Sequence, residues 1–311
     1  MSSPRSIWWL VSGTVVLAAF ATTSVPLAGA TFAGLQLIGG SQSKWHRAAA
    51  LVIGLLALGA LVAPRESPSG AVIAVFQLFA AVAFVVMAWS APGPFLPRAT
   101  AALAWSGASA VVLAWMLNGA DTWGLLAWDT LRETSFALRS TFEVMSIDSA
   151  VGTLADMYGK FEPLVRFFST ARPALAILSG YGALAVGWQW HIRAAEKPLG
   201  PALRPFREFR LADGAVWGVI AAAIAWILSG DVPGLRVAAL NIGLILGALY
   251  VLRGAAVVGA AAAIVAVPAW VQALAVFSGV LFAPATAPSL CVLGVSDTWL
   301  EFRRRLESRP N

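Results

Sequence analysis

The chain has 311 residues, 59% of them hydrophobic and 12% charged. A soluble domain carries about 25% charged residues, and half that share cannot coat a water-facing surface of this size, so a soluble globular protein is excluded. The net charge of +6 is gathered in loops, where it sets orientation and contact with anionic lipid; nucleic acid is not an expected partner.

Arg5, an apolar run over 7–20 and Ala28-Gly29-Ala30 follow a signal-peptide pattern. The apolar character continues to Ile38, however, and favours a first membrane helix. Residues 7–40 exceed one span and are interrupted at Thr22-Thr23-Ser24-Val25-Pro26, which predicts two short helices or a helix with a re-entrant half. Spans are predicted at about 48–63, 70–90 and 97–117, with connections marked by Pro64, Pro68, Pro92, Pro94 and Pro97.

Residues 121–168 carry frequent charges over two apolar stripes. The first runs Trp128, Leu131, Leu138, Phe142, Met145, and the second Leu154, Met157, Phe161, Leu164, Phe168. Helical spacing puts each set on one face, which predicts two amphipathic helices lying on the bilayer or capping the bundle. A solvated linker is the alternative.

Further spans are predicted at about 171–190, 213–229, 236–252 and 255–282, followed by a short apolar segment at 285–299 and then Arg303, Arg304 and Arg305. The basic loops, above all 191–212, place both termini in the cytoplasm of a bacterial inner-membrane protein. The expected fold is an all-α polytopic bundle of about 8–10 membrane segments forming a single membrane domain over 1–311. It has three parts: N-terminal helices 1–120, the amphipathic segment 121–168 and C-terminal helices 169–311. Tryptophans at span ends, including Trp8, Trp9, Trp45, Trp89, Trp188, Trp190 and Trp299, read as an interfacial belt.

Catalytic chemistry is sparse. No carboxylate lies inside a clear span, and no nucleophile–base set or phosphate-cradling glycine loop occurs. A single cysteine, Cys291, excludes an internal disulfide and a cysteine-based metal cluster, and His46 and His191 read as solvated loop residues. The expectation is a protein that is not an enzyme and uses no cofactor or metal. Asp297 reads as the N-cap of a helix Thr298–Glu307 rather than as a catalytic acid.

Polar groups inside spans must find partners or face an interior. Asn241, Tyr250, Arg253, Tyr181 and Gln77 are the candidates for contact with a small solute; hydrogen bonds between helices are the alternative. Arg253, between two apolar stretches, marks a cytoplasmic turn or an anion contact. Gly243, Gly247 and Gly254 form a small-residue face for helix packing, within the chain or between subunits.

The stretch Leu249-Tyr250-Val251-Leu252-Arg253-Gly254-Ala255-Ala256-Val257-Val258, followed by Leu293-Gly294-Val295-Ser296-Asp297-Thr298-Trp299-Leu300-Glu301-Phe302-Arg303, resembles the YybS-like bacterial membrane proteins. Arg172-Pro173-Ala174-Leu175 and Arg204-Pro205-Phe206-Arg207-Glu208-Phe209-Arg210-Leu211 fit the same resemblance. Arg253 stands where an uncharged polar residue is expected. That family is distantly similar to the substrate-binding subunits of energy-coupling-factor vitamin importers and to the rod-shape protein MreD. The first similarity implies a vitamin-like solute and an ATPase-driven transport module as partner. The second implies a non-catalytic scaffold among envelope-assembly proteins. The chain has no nucleotide-binding motif, so any ATP use would come from another chain. Membrane lipid is the remaining expected partner.

Overall fold

The computed structural model describes residues 25–40, 68–91, 93–118, 128–133, 151–195, 197–230 and 232–307, with isolated positions at 15, 45, 48, 49, 52, 135, 136 and 140. The described residues are helical and contain no strand. In lipid a helix satisfies every backbone donor and acceptor within itself, which is why this composition yields helices alone. The chain divides into two compact units, 1–203 and 204–311.

The first unit contains α1 (Val25–Gly40), α2 (Pro68–Ser90), α3 (Phe95–Asn118) and α4 (Val151–Ala194). α1 packs against α4 and α2, and α2 against α3. Phe32, Leu35, Leu37, Phe84, Leu103, Leu184 and Trp188 form the core. Pro68 opens α2, Pro94 stands just before α3 and Pro97 lies in the first turn of α3, where a missing N–H costs nothing; Pro64 and Pro92 lie outside the described residues. The spans expected at 48–63 and in 7–24, and most of the first amphipathic stripe, lie outside the described residues.

The second amphipathic helix and the span at 171–190 are one element. α4 runs 44 residues through Pro163 and Pro173 without a break. Leu164 and Phe168 of the second stripe are exposed, as a bilayer-facing stripe would be, whereas Val165 beside them is buried.

Two residues near the end of α4 are corrected by the structure. Trp188 is not an interfacial tryptophan: it is fully buried, edge-on to Phe84 at 5.7 Å, with Nε1 donating to Pro201 O at 3.2 Å. His191 is not a solvated loop residue. It is fully buried in the last turn of α4, past the apolar stretch, and its Nε2 accepts the Leu199 N–H at 3.1 Å. Burial pushes the imidazole pKa down to about 4.

The second unit contains a 3₁₀ turn (Phe206–Glu208), α5 (Ala215–Leu228), α6 (Pro233–Ile264), α7 (Ala269–Leu281), α8 (Ala283–Leu300) and α9 (Phe302–Glu307). α6 packs along α8 and α5, and the 3₁₀ turn rests on α6. Three span expectations change here. The segment at 213–229 yields a helix of 14 residues, Ala215–Leu228. That is about 21 Å long, short of the roughly 30 Å of hydrocarbon. Gly230, at φ 40, follows its end. The spans at 236–252 and 255–282 are not divided at Arg253, because α6 passes straight through it for 32 residues. The division comes later, where Ala266 takes φ 53 and Pro268 follows. α7 and α8 then meet at a bend of 109°.

Among the described residues, two stretches are long and apolar enough to cross a bilayer, Gly70–Ser90 and Gly234–Ile264. The bent α7–α8 pair makes three if it is one broken span.

Candidate functional site

The site grows from two glycines. A Cβ on Gly254 would run into the carbonyl oxygen of Leu290, and a Cβ on Gly294 into that of Tyr250. Only glycine at both positions lets the backbones of α6 and α8 come this close. The approach sets Arg253, one residue before Gly254, against Asp297, three residues past Gly294.

Arg253 Nε donates to Asp297 Oδ2 at 3.0 Å, and Arg303 Nη2 donates to the same oxygen at 2.8 Å. All three residues are buried, Asp297 at 2% exposure. Arg303 reaches back because Glu301 adopts a left-handed conformation, φ 45, which turns the chain between α8 and α9. Its other nitrogen, Nη1, donates to the carbonyls of Arg207 at 3.2 Å and Phe209 at 2.9 Å. One guanidinium therefore joins α9, α8 and the loop before α5. The exposed Asp213 stands 4.0 Å from Arg253 Nη1.

The cluster holds two cations to one buried carboxylate. Arg303 Nε, Arg253 Nη1, Asp297 Oδ1, Thr298 Oγ1 and the Tyr250 hydroxyl are buried and find no hydrogen-bond partner among the described residues. A carboxylate held by two guanidiniums is a poor base, so the arrangement suits a structural clamp or an anion contact better than proton transfer. Among the described residues no group of three or more His, Cys, Asp or Glu is placed to hold a metal ion.

The expected site residues fall into both units. Tyr250 and Arg253 sit on α6 at the crossing, Tyr250 fully buried. Arg253 is therefore no turn residue but a member of the clamp. Asn241 lies three turns earlier on α6, its Nδ2 donating to Val237 O at 2.9 Å on its own helix. In the first unit, Gln77 Nε2 donates to Ala176 O at 2.8 Å and Ser179 Oγ at 3.1 Å. Tyr181 donates its hydroxyl proton to Thr100 Oγ1 at 2.9 Å. Of the three packing glycines, Gly254 stands at the crossing, whereas Gly243 and Gly247 have nothing within 4 Å of a Cβ position.

The clamp also corrects Asp297 and adds Arg303. Asp297 is in the last turn of α8 and caps no N-terminus; the next helix begins only at Phe302. In the sequence Arg303 is one of three closing arginines and carries no sign of this role. The missed signal was complementarity: one Asp and one Arg each stand in an otherwise apolar stretch, and a buried charge requires a partner.

The family described as Predicted membrane protein (DUF2232) matches residues 100–298. The chain belongs to this family. The DUF2232 match includes Arg253 and Asp297 and stops short of Arg303. No curated protein and no solved structure matches the chain.

Two clefts among the described residues flank the clamp's exit. One of about 200 Å³ is lined by Arg204, Arg207, Glu208, Arg210 and Arg303. The other, of about 280 Å³, is lined by Trp299, Leu300, Glu301, Arg304 and Arg305.

Proposed function

We propose that this DUF2232 protein is a non-catalytic scaffold or assembly subunit of the bacterial cytoplasmic membrane. The observation that carries the reading is the two-faced state of α6. One side is fixed to α8 through Gly254, Gly294 and the Arg253–Asp297 bond. Yet among the described residues only 17% of its apolar stretch is buried, and nothing lies within 4 Å of a Cβ position at Gly243 or Gly247. A rigid helix that presents open small residues suits close packing against another membrane helix. Of the two distant similarities that the YybS-like resemblance carries, the one to MreD is in line with this reading. Gln77, Asn241 and Tyr181 bond to protein partners, which weakens the case for a solute pocket built from them.

An importer-type subunit that binds a small vitamin-like solute and docks on an ATPase module is the second reading. Its support is the buried Tyr250 hydroxyl, which has no hydrogen-bond partner among the described residues and lies beside a clamp with two buried cations to one buried carboxylate.

Native mass spectrometry of the protein extracted gently from its own membrane tests both. The scaffold reading expects a stoichiometric membrane-protein partner or second copy that is lost when Gly243→Leu and Gly247→Leu are combined. A small molecule of fixed mass, retained without a protein partner, would overturn it.

A further inference from the structure

We propose that the cleft walled by Arg204, Arg207, Arg210 and Arg303 is a binding site for a phosphate oxyanion, with the headgroup of an anionic phospholipid as its natural source. The inference is independent of the scaffold reading. Four arginines and one acidic residue, Glu208, line a cleft of about 200 Å³. Among the described residues none of Arg204, Arg207 and Arg210 takes part in an ion pair. The loop cannot splay to relieve their repulsion, because Arg303 holds the carbonyls of Arg207 and Phe209 and is itself tied to Asp297. Arg303, at 5% exposure, also leaves its Nε without a hydrogen-bond partner among the described residues.

Gathered like charges on a pinned backbone favour an anion between them. Guanidinium forks match the paired oxygens of a phosphate in plane and spacing. The cleft of about 200 Å³ has room for an oxyanion of phosphate size, and a headgroup phosphate can enter it with its chains left outside. Phe206, in the middle of the arginine run, is 53% exposed, and Trp217 on α5 is 70% exposed. Aromatics beside arginines, leading into an apolar helix, belong at the headgroup level of a bilayer. Basic clusters of this kind at a cytoplasmic face attract anionic lipid.

The test measures binding to the full chain in mild detergent by native mass spectrometry. The probes are phosphatidylglycerol, phosphatidylcholine and inorganic phosphate. Phosphatidylglycerol is expected to be retained over phosphatidylcholine, with retention falling as salt rises. The combined variant Arg204→Gln, Arg207→Gln, Arg210→Gln is expected to bind it roughly a hundredfold more weakly, while Arg193→Gln in the other unit changes nothing. Glu208→Gln removes the cleft's carboxylate and is expected to raise retention, which keeps the site testable should the triple variant fold poorly. Displacement of the lipid by millimolar inorganic phosphate, or binding of phosphate without lipid preference, would support the oxyanion site and assign it to a free anion. Equal retention of both lipids without any phosphate effect would overturn the site. So would a well-folded triple variant that binds like wild type, or weaker binding by Glu208→Gln.

Discussion

Arg253 Nε stands 3.0 Å from Asp297 Oδ2 across 44 residues of chain, joining two apolar helices through one buried charge pair. The pair is unequal in its surroundings. Asp297 also holds Arg303, so losing Arg253 leaves a neutral Asp297–Arg303 pair. Losing Asp297 leaves two buried guanidiniums with no anion between them. Breaking a buried pair on its essential side costs about 3–5 kcal/mol. We therefore expect Asp297→Ala to destabilise the protein by about that amount and Arg253→Met by about 1–2 kcal/mol. Thermal unfolding in detergent measures the order; equal losses would mean that the carboxylate is not the centre of the clamp.

The glycines of α6 separate by position. At Gly254 and Gly294 a methyl group meets a backbone carbonyl of the opposing helix, which cannot rotate away as a side chain would. Gly254→Ala or Gly294→Ala should cost about 3 kcal/mol or more, the upper end of overpacking. Gly243→Ala and Gly247→Ala, with open space around them, should be neutral or stabilising by up to about 1 kcal/mol, since alanine is the better helix former. Melting temperatures of the four variants decide it. Equal losses at all four positions would show that the crossing is not the constraint.

The elements that could be read in the sequence were those bounded by local chemistry. Pro68 opens α2, while Gly93 and Pro94 precede α3, so both helices follow from composition and turn residues. The long helices were harder to read because charge and proline suggested breaks that the fold does not need. Arg253 lies within α6 because Asp297 neutralises it, a partner that no local window contains. Pro163 and Pro173 likewise sit within α4. Gly254 was readable as a packing residue, but its partner Gly294 was not, since nothing in the spacing of one helix states which other helix will cross it.

His191 makes the first unit sensitive to acid. Its buried imidazole, accepting the Leu199 N–H, titrates at about 4, below the roughly 6.5 of an unfolded histidine. Between those values the unfolded chain binds the extra proton, so stability is full above about pH 6.5 and falls as pH drops toward 4. The loss approaches about 3 kcal/mol at the acid end. His191→Gln keeps an acceptor for Leu199 and removes the titration, so its melting temperature should vary less over that range. A variant with the wild-type pH profile would assign the acid sensitivity to another group.

Arg303 is expected to govern the order of the loop that carries the other three arginines. Its Nη1 holds the carbonyls of Arg207 and Phe209, and its Nη2 the carboxylate of Asp297. A lysine is a point donor without the planar fork and cannot reproduce three directed bonds in two directions. Arg303→Lys keeps the charge and loses the fork, so the segment 204–210 should open more often. Trypsin cleaves after the exposed Arg207 and Arg210 only when the segment can leave its site; Arg204, followed by Pro205, is not a trypsin site. If opening is fast relative to cleavage, the cutting rate follows the open population. Loss of about 1.4 kcal/mol of restraint would therefore raise the rate about tenfold. Arg304→Lys, at an exposed position paired only with Glu301, provides the comparison and should be cut at the wild-type rate. Equal rates for the two variants would mean that the loop is held by its contact with α6 alone and that the fork adds no restraint.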